Sequence, residues 1–272
     1  MLRFIDTHNH VGVAPISWDL NLLTEKLSQS GIRCGVITAG GVDDFEAAAD
    51  TARKLSWGYC VGLHPMYIRD QYQDDLLALR SFVQSHLHDP YLVGIGEIGL
   101  DFYVPGLDRD RQLSVLHEEL QLAADAALTV SVHSRRALYK VMEVLSFYPG
   151  LKVVLHAFAG SLEEVRQAEK RGYFLGVGGA VTYEGSKRVR AVAKEAAPDS
   201  LVLETDAPDM APAFAAAQGS DPTFLPRYLD VIAQLRSQTP ENLAEVIFEN
   251  SLRAFPKLLG VIEGRKNFVA NP

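Results

Sequence analysis

Five of the eight histidines in this chain, His8, His10, His64, His133 and His156, close short apolar runs, as do the carboxylates Glu97 and Asp206. Neutral imidazoles together with ionised carboxylates suit Zn, Mn, Co or Fe, whereas Mg prefers a richer oxygen set. In Asp6-Thr7-His8-Asn9-His10 the two histidines alternate. On a strand they therefore share one face, with Asp6 beneath them, and can grip one divalent ion from two sides. The remaining candidates stand in Gly62-Leu63-His64-Pro65, Gly96-Glu97-Ile98-Gly99-Leu100-Asp101, Val132-His133-Ser134-Arg135, Leu155-His156-Ala157-Phe158 and Leu203-Glu204-Thr205-Asp206-Ala207-Pro208.

Taken singly, each has an ordinary account. His64 before a proline shapes a turn, His133 and His156 are hydrogen-bonded core histidines, Glu97 is a loop carboxylate, and Asp206 caps a helix. His86, His88 and His117 fall in or beside helical segments, which gives them surface roles. Jointly, four histidines (His8, His10, His133, His156) and two carboxylates exceed what one tetrahedral ion takes. That excess argues for two divalent ions sharing a bridging group. No lysine stands near the end of the fourth apolar run, so Glu97 is the bridge available there.

The elements that must bring these residues together are legible as an alternation. Near-continuous runs of Val, Ile, Leu and Gly predict strands over residues 3–6, 34–39, 59–63, 92–97, 128–132, 152–155, 173–177 and 201–204, covered on both faces. Amphipathic spacing predicts helices over 20–30, 43–56, 75–88, 108–127, 136–147, 161–170, 186–197, 225–237 and 240–255. Capping boxes are expected at Asp43 and Ser161, a C-cap at Gly31, and an N-cap with a proline at N1 in Thr239-Pro240. Eight strand–helix units specify an α/β (β/α)8 TIM barrel, with an open doubly wound sheet as the alternative. Nothing splits the chain, so residues 1–272 are expected to form one barrel domain. Barrel chemistry gathers at the C-terminal strand ends, where the candidates lie. Residues 209–222, rich in Ala, Pro and Gly, read as a structureless rim over that site.

Bulk composition narrows the classes. The 272 residues are 47% hydrophobic and 22% charged, with mean hydropathy +0.02, as in a globular protein with a large core. A net charge of -8 and a pI near 5.5 exclude a general nucleic-acid coating protein, though not a nuclease whose metals supply local positive charge. No apolar run reaches the ~18 residues of a membrane span, and no charged-then-apolar leader opens the chain. Cys34 and Cys60 sit in apolar runs without a CxxC neighbour, the pattern of buried thiols in a reducing, cytoplasmic setting. No obligate protein partner is evident.

These motifs, with Asn250-Ser251-Leu252-Arg253-Ala254-Phe255 closing the series, resemble the successive signatures of the TatD family of metal-dependent hydrolases over essentially the whole chain. The stretches 176–183 and 205–210 look most like its bacterial YjjV-like branch. The resemblance implies a TIM barrel related to amidohydrolases and phosphotriesterases, acting on DNA as a deoxyribonuclease with two divalent ions (Zn, Mn, Mg, Co or Fe). It implies His8, His10, Glu97 and Asp206 around one ion, Glu97, His133 and His156 around the other, and His64 facing the scissile phosphate. Asn9 stands where the family often has cysteine, and Ala157 and Ala159 where it often has Cys or Gly and Ser. The loop at Gly219-Ser220-Asp221-Pro222 lacks the basic and Asn residues often found there.

In such a site Asp206 would take the proton of the attacking water and His64 would orient phosphate oxygens, with Arg135 either joining it or forming a salt bridge on the barrel rim. The same groups would serve an amide, ester or phosphotriester hydrolase, including a deacylase of aminoacyl-tRNA esters. A non-enzymatic metal-binding scaffold is the remaining alternative, disfavoured by so complete a ligand set.

Overall fold

The computed structural model describes residues 2–13 and 18–269. Strands β1 (Phe4–Asn9), β2 (Ile32–Ala39), β3 (Gly58–Val61), β4 (Leu92–Asp101), β5 (Thr129–Arg135), β6 (Val153–Leu155), β7 (Phe174–Val177) and β8 (Leu201–Leu203) lie parallel and in chain order. The first and last are tied at their C-terminal ends. The Asp206 N–H donates to the His8 carbonyl at 2.9 Å, and the His10 N–H donates to the Ala207 carbonyl at 2.7 Å. The Thr7 hydroxyl adds a bond to the Leu203 carbonyl at 2.9 Å. The result is the expected (β/α)8 barrel.

Helices α1 (Leu20–Gln29), α2 (Phe45–Leu55), α3 (Tyr72–Ser85), α4 (Arg109–Ala126), α5 (Leu138–Leu145), α6 (Leu162–Lys170), α7 (Lys187–Glu195) and α8 (Leu225–Arg236) form the outer layer. Two more, α9 (Pro240–Ala254) and α10 (Leu258–Val269), follow. The Ser161 capping box closes in both directions, and Asp19 accepts from the Asn21 and Leu22 N–H groups to start α1. Gly31 takes the left-handed conformation (φ 76°) expected just past that helix.

Several expectations are corrected. The box at Asp43 does not form, because a 3-10 turn over Val42–Asp44 leads into α2 and the Asp43 carboxylate faces the Arg69 guanidinium at 3.5 Å. Thr239 makes no side-chain cap bond, although Pro240 does occupy the first turn. Helix α5 begins at Leu138 rather than 136, since Arg136 sits at φ 53°. The rim over 209–222 contains 3-10 turns at Ala213–Ala215 and Pro222–Phe224, and its buried Ser220 donates to the Thr205 carbonyl at 2.8 Å. Helix α10 carries no clear amphipathic signal, but its Leu258 and Val261 are buried. No helix among the described residues is long and apolar enough to cross a membrane.

The strands that matter most for the site overrun their expected ends. β1 continues to Asn9, β4 to Asp101 and β5 to Arg135, so His8, Glu97 and His133 lie within strands. In the β1–β2 pairing, Asp6↔Gly35 and Asn9↔Ile37 set three steps against two; in β4–β5, Ile95↔Val130 and Ile98↔Val132 do the same. β1 and β4 thus each carry one extra residue there, at Thr7-His8 and at Gly96-Glu97, the first offset by an extra residue of β2 between Ile32 and Cys34. Such bulges bend the strand and re-aim the local side chain.

Gly99 follows the second bulge at φ 138°, where an added Cβ would lie 2.1 Å from the His133 carbonyl oxygen. That neighbour is strand backbone and cannot yield. Gly99→Ala is therefore expected to cost about 2–4 kcal/mol and to lower the melting temperature by roughly 5–15 °C. A thermal melt matching the parent protein would contradict this.

Candidate metal centre

Glu97 occupies the middle of the C-terminal mouth. A nitrogen of each of the five strand-end histidines lies within 4.0 Å of its carboxylate. The two oxygens face different sets. Oε2 is 3.3 Å from His8 Nε2 and 3.6 Å from His10 Nε2. Oε1 is 2.9 Å from His133 Nδ1, 3.3 Å from His64 Nε2 and 4.0 Å from His156 Nε2. Asp206 Oδ1 closes the cluster, 3.2 Å from His10 Nε2 and 3.6 Å from both His8 Nε2 and His156 Nε2.

Four of the imidazoles have an outward partner that leaves the opposite nitrogen turned inward. His10 Nδ1 lies 2.7 Å from the Thr38 carbonyl, which only accepts, so the proton sits on Nδ1 and Nε2 keeps its lone pair. His8 Nδ1 meets the Ser131 hydroxyl at 2.9 Å. His156 Nδ1 lies 3.1 Å from Glu204 Oε1, a charge contact whose angle falls short of a hydrogen bond. His133 is reversed: its Nε2 faces Asp101 Oδ2 at 3.3 Å and its Nδ1 turns to Glu97. This is the arrangement by which outer partners set tautomer and direction in metal sites. Asp101 and Glu204 stand inside motifs already legible as chemical. Ser131 and the Thr38 carbonyl carry no sequence signal.

His64 differs. Its Nδ1 accepts from the Met66 N–H at 3.2 Å, so Nε2 carries the proton and is a donor, not a lone pair. Distance alone groups His64 with Glu97 and His133, alongside the groups His8–His10–Asp206 and His8–Glu97–His156. The tautomer sets it apart. Arg135 is exposed on the cavity wall, with its guanidinium 3.8 Å from the Tyr103 ring centroid. Asp6 is fully buried and is held by Thr205, at 2.9 Å from its N–H and 2.5 Å from its hydroxyl. It supports the cluster from below.

The electrostatics call for added positive charge. Burial pulls His10 and His156 down, but neighbouring carboxylates outweigh it: Asp206 and Glu97 hold His10 up to about 9, and Glu204, Asp206 and Glu97 hold His156 up to about 10. Burial and the adjacent His156 press His8 below its ordinary value. Burial also pushes Glu97 upward, yet His64 and His8 more than offset this and keep it well below the usual carboxylate range. Asp206 is likewise lowered, chiefly by His156 and His10 against the effect of burial. His8 Nε2, wholly buried and without a hydrogen-bond partner, points into this anionic centre. A buried ring nitrogen without a hydrogen-bond partner, converging with ionised carboxylates, fits a divalent cation.

A cavity of about 1520 Å³ opens above the cluster, lined by His10, His64, Glu97, His133, His156 and Asp206 among others. A parallel (β/α)8 barrel with imidazoles and carboxylates gathered at its C-terminal mouth is the architecture of a metal-dependent hydrolase. The chain belongs to the TatD-related DNase family, whose model matches residues 5–256. It is 31% identical over 255 residues to the uncharacterized metal-dependent hydrolase YjjV of Escherichia coli, covering 93% of this chain and 98% of that protein. The crystal structure of E. coli YjjV superposes with a TM-score of 0.88 over 94% of this chain and 98% of that one. The human deoxyribonuclease TATDN3 is 28% identical, with 95% of this chain and 97% of that protein covered. The 3'-5' ssDNA/RNA exonuclease TatD of Erwinia tasmaniensis is 30% identical, with 87% and 93% covered.

Glu119 of α4 underpins the His64 turn. Its buried Oε1 accepts from the Leu63 N–H at 2.6 Å, and burial raises its carboxyl well above 4.5 against the small lowering effect of that bond. A folded state that keeps this proton is favoured fully below the free-carboxyl value near 4.5, and the advantage is lost as pH rises through the raised one. Glu119→Gln cannot ionise. It should melt close to the parent protein at about pH 5 and above it at about pH 8.5–9. Parallel melting curves across that window would contradict the assignment.

Proposed function

We propose that residues 1–272 act as one barrel domain that holds two divalent ions and cleaves phosphodiester bonds of nucleic acid, in the manner of a deoxyribonuclease. The observation that carries this is the division of Glu97 between two sets of imidazoles: Oε2 toward His8 and His10, Oε1 toward His133 and His64 and, at 4.0 Å, His156. A carboxylate shared in that way suits a bridge between two cations. With Asp206 added to the first set, the groups become His8, His10, Glu97 and Asp206 for one ion and Glu97, His133 and His156 for the other. The nitrogen-rich donor set favours Zn, Mn, Co or Fe over Mg. When bound, such ions neutralise charge on a phosphoryl group and acidify water.

The protein's own groups supply the rest. Asp206 is held ionised, so its Oδ1 is ready to take a proton beside the cluster. His64 presents Nε2–H, set by the Met66 N–H at its other nitrogen, to a non-bridging phosphate oxygen. Arg135, at the end of β5, adds a cation to the lining of the same cavity. The cavity walls hold the diester over groups that are largely removed from water, Glu97 at 5% and Asp206 at 8% exposure, which strengthens each of these contacts. The names of the human and Erwinia relatives support nucleic acid as the substrate. Cys34 and Cys60, both buried, fit the reducing cytoplasm as its location.

The test is exhaustive chelation, then metal add-back, assayed on a panel of DNA, RNA, small esters and amides at fixed metal. Chelation should abolish DNA cleavage and add-back restore it, and Glu97→Ala should lose at least about 10²–10³-fold in kcat. Undiminished DNA cleavage after complete metal removal, or turnover confined to esters or amides, would overturn the proposal.

A further inference from the structure

The two sides of the cavity mouth differ in charge. On the side built by the ends of β5 to β7 stand Arg135, Arg136 and Arg188, all exposed and all lining the cavity, with a single carboxylate, Glu164, that accepts from the Ser161 N–H and hydroxyl. None of the three is ion-paired among the described residues. After β2 and β8 the lining carboxylates are Asp43, Asp44 and Asp209, while Arg69 is already engaged by Asp75 and Asp43. Arg135 and Arg136 both rest on the Tyr103 ring, with guanidinium carbons 3.8 and 4.7 Å from its centroid. Two guanidiniums gathered on one ring, with no carboxylate between them, form a fixed fork for a polyanion.

Beside this fork, on the first turn of α5, the Tyr139 ring is 67% exposed while lining the cavity. An apolar ring left in water at the lip of a polar cavity is a platform for another flat ring. The depth of the cluster adds a second constraint. A phosphate must reach Glu97 and Asp206, at 5% and 8% exposure, and the name of the Erwinia relative supports a single strand as the substrate that does so.

We propose that the β5–β7 wall is the track of a single-stranded nucleic acid, with Tyr139 stacking a base and Arg135 and Arg136 holding phosphates beside the scissile one. It rests on the nucleic-acid function proposed above and adds which wall the strand follows. The carboxylates after β2 and β8 repel the backbone, so the strand keeps to the arginine side of the mouth. Arg188 extends the track toward α7.

The experiment measures kcat/KM for a short single-stranded oligodeoxynucleotide and for bis(p-nitrophenyl) phosphate, a diester too small to reach the track, with the metal-loaded protein. Tyr139→Ala should lower the ratio of the two roughly 10-fold or more through KM for the oligonucleotide, and Tyr139→Phe should restore it. Arg136→Ala should raise that KM and make the slope of log KM against log salt shallower by about 0.7. An unaltered ratio and salt slope in both alanine variants, with the parent protein cleaving the oligonucleotide, would overturn the track alone. A parent protein that turns over the small diester but no oligonucleotide would overturn the nucleic-acid function and the track with it.

Discussion

A carboxylate placed where water scarcely reaches must be surrounded by positive charge or give up its own. Glu97 is that carboxylate, and most of what is unusual in this barrel serves it. Five imidazoles converge on it, and Asp206, Glu204 and Asp101 bring further negative charge to the same few ångströms. Protons on His10 and His156 are one way to balance the sum, as their raised values show. Divalent cations are the other, and the inward lone pairs are set for them.

Holding so many like groups together requires rigidity, and the barrel supplies it through backbone. The bulges at Thr7-His8 and Gly96-Glu97 re-aim two strands without breaking their pairing. The β1–β8 seam is sewn by bonds that involve the backbone of His8, His10 and Asp206 themselves, so closing the barrel and building the centre are one event. Outer partners then fix each ring: a carbonyl for His10, a hydroxyl for His8 and carboxylates for His133 and His156. Further out, Arg135, Arg136 and Arg188 line one part of the mouth and Asp43, Asp44 and Asp209 another, which gives a symmetric scaffold an asymmetric charge.

Much of this was legible in the sequence because strand burial and ligand chemistry both leave local marks. Runs such as Leu92-Val93-Gly94-Ile95 can only be interior strands, and histidines placed just beyond them can only share one rim. That Glu97 would lie among these histidines followed from residue types and their place at strand ends. What stayed hidden depends on contacts between distant segments. A bulge shows only in pairing register, so strand ends were set too early at Asp6, Glu97 and Val132. The Thr38 carbonyl and Ser131 are unremarkable until folding brings them to His10 and His8. The tautomer of His64 depends on one backbone N–H, and the Arg135–Arg136 fork on a ring at Tyr103 some thirty residues earlier. Helix α10 packs Leu258, Val261 and Ile262 near the start of β3, a stripe of one turn that is too short to stand out in the sequence.

The central claim is that Glu97 bridges two cations. Anomalous diffraction from crystals grown with zinc or manganese tests it directly. Two peaks per chain about 3.5–4 Å apart, one on each side of the Glu97 carboxylate, are predicted. A single peak, or two that do not share Glu97, would contradict it.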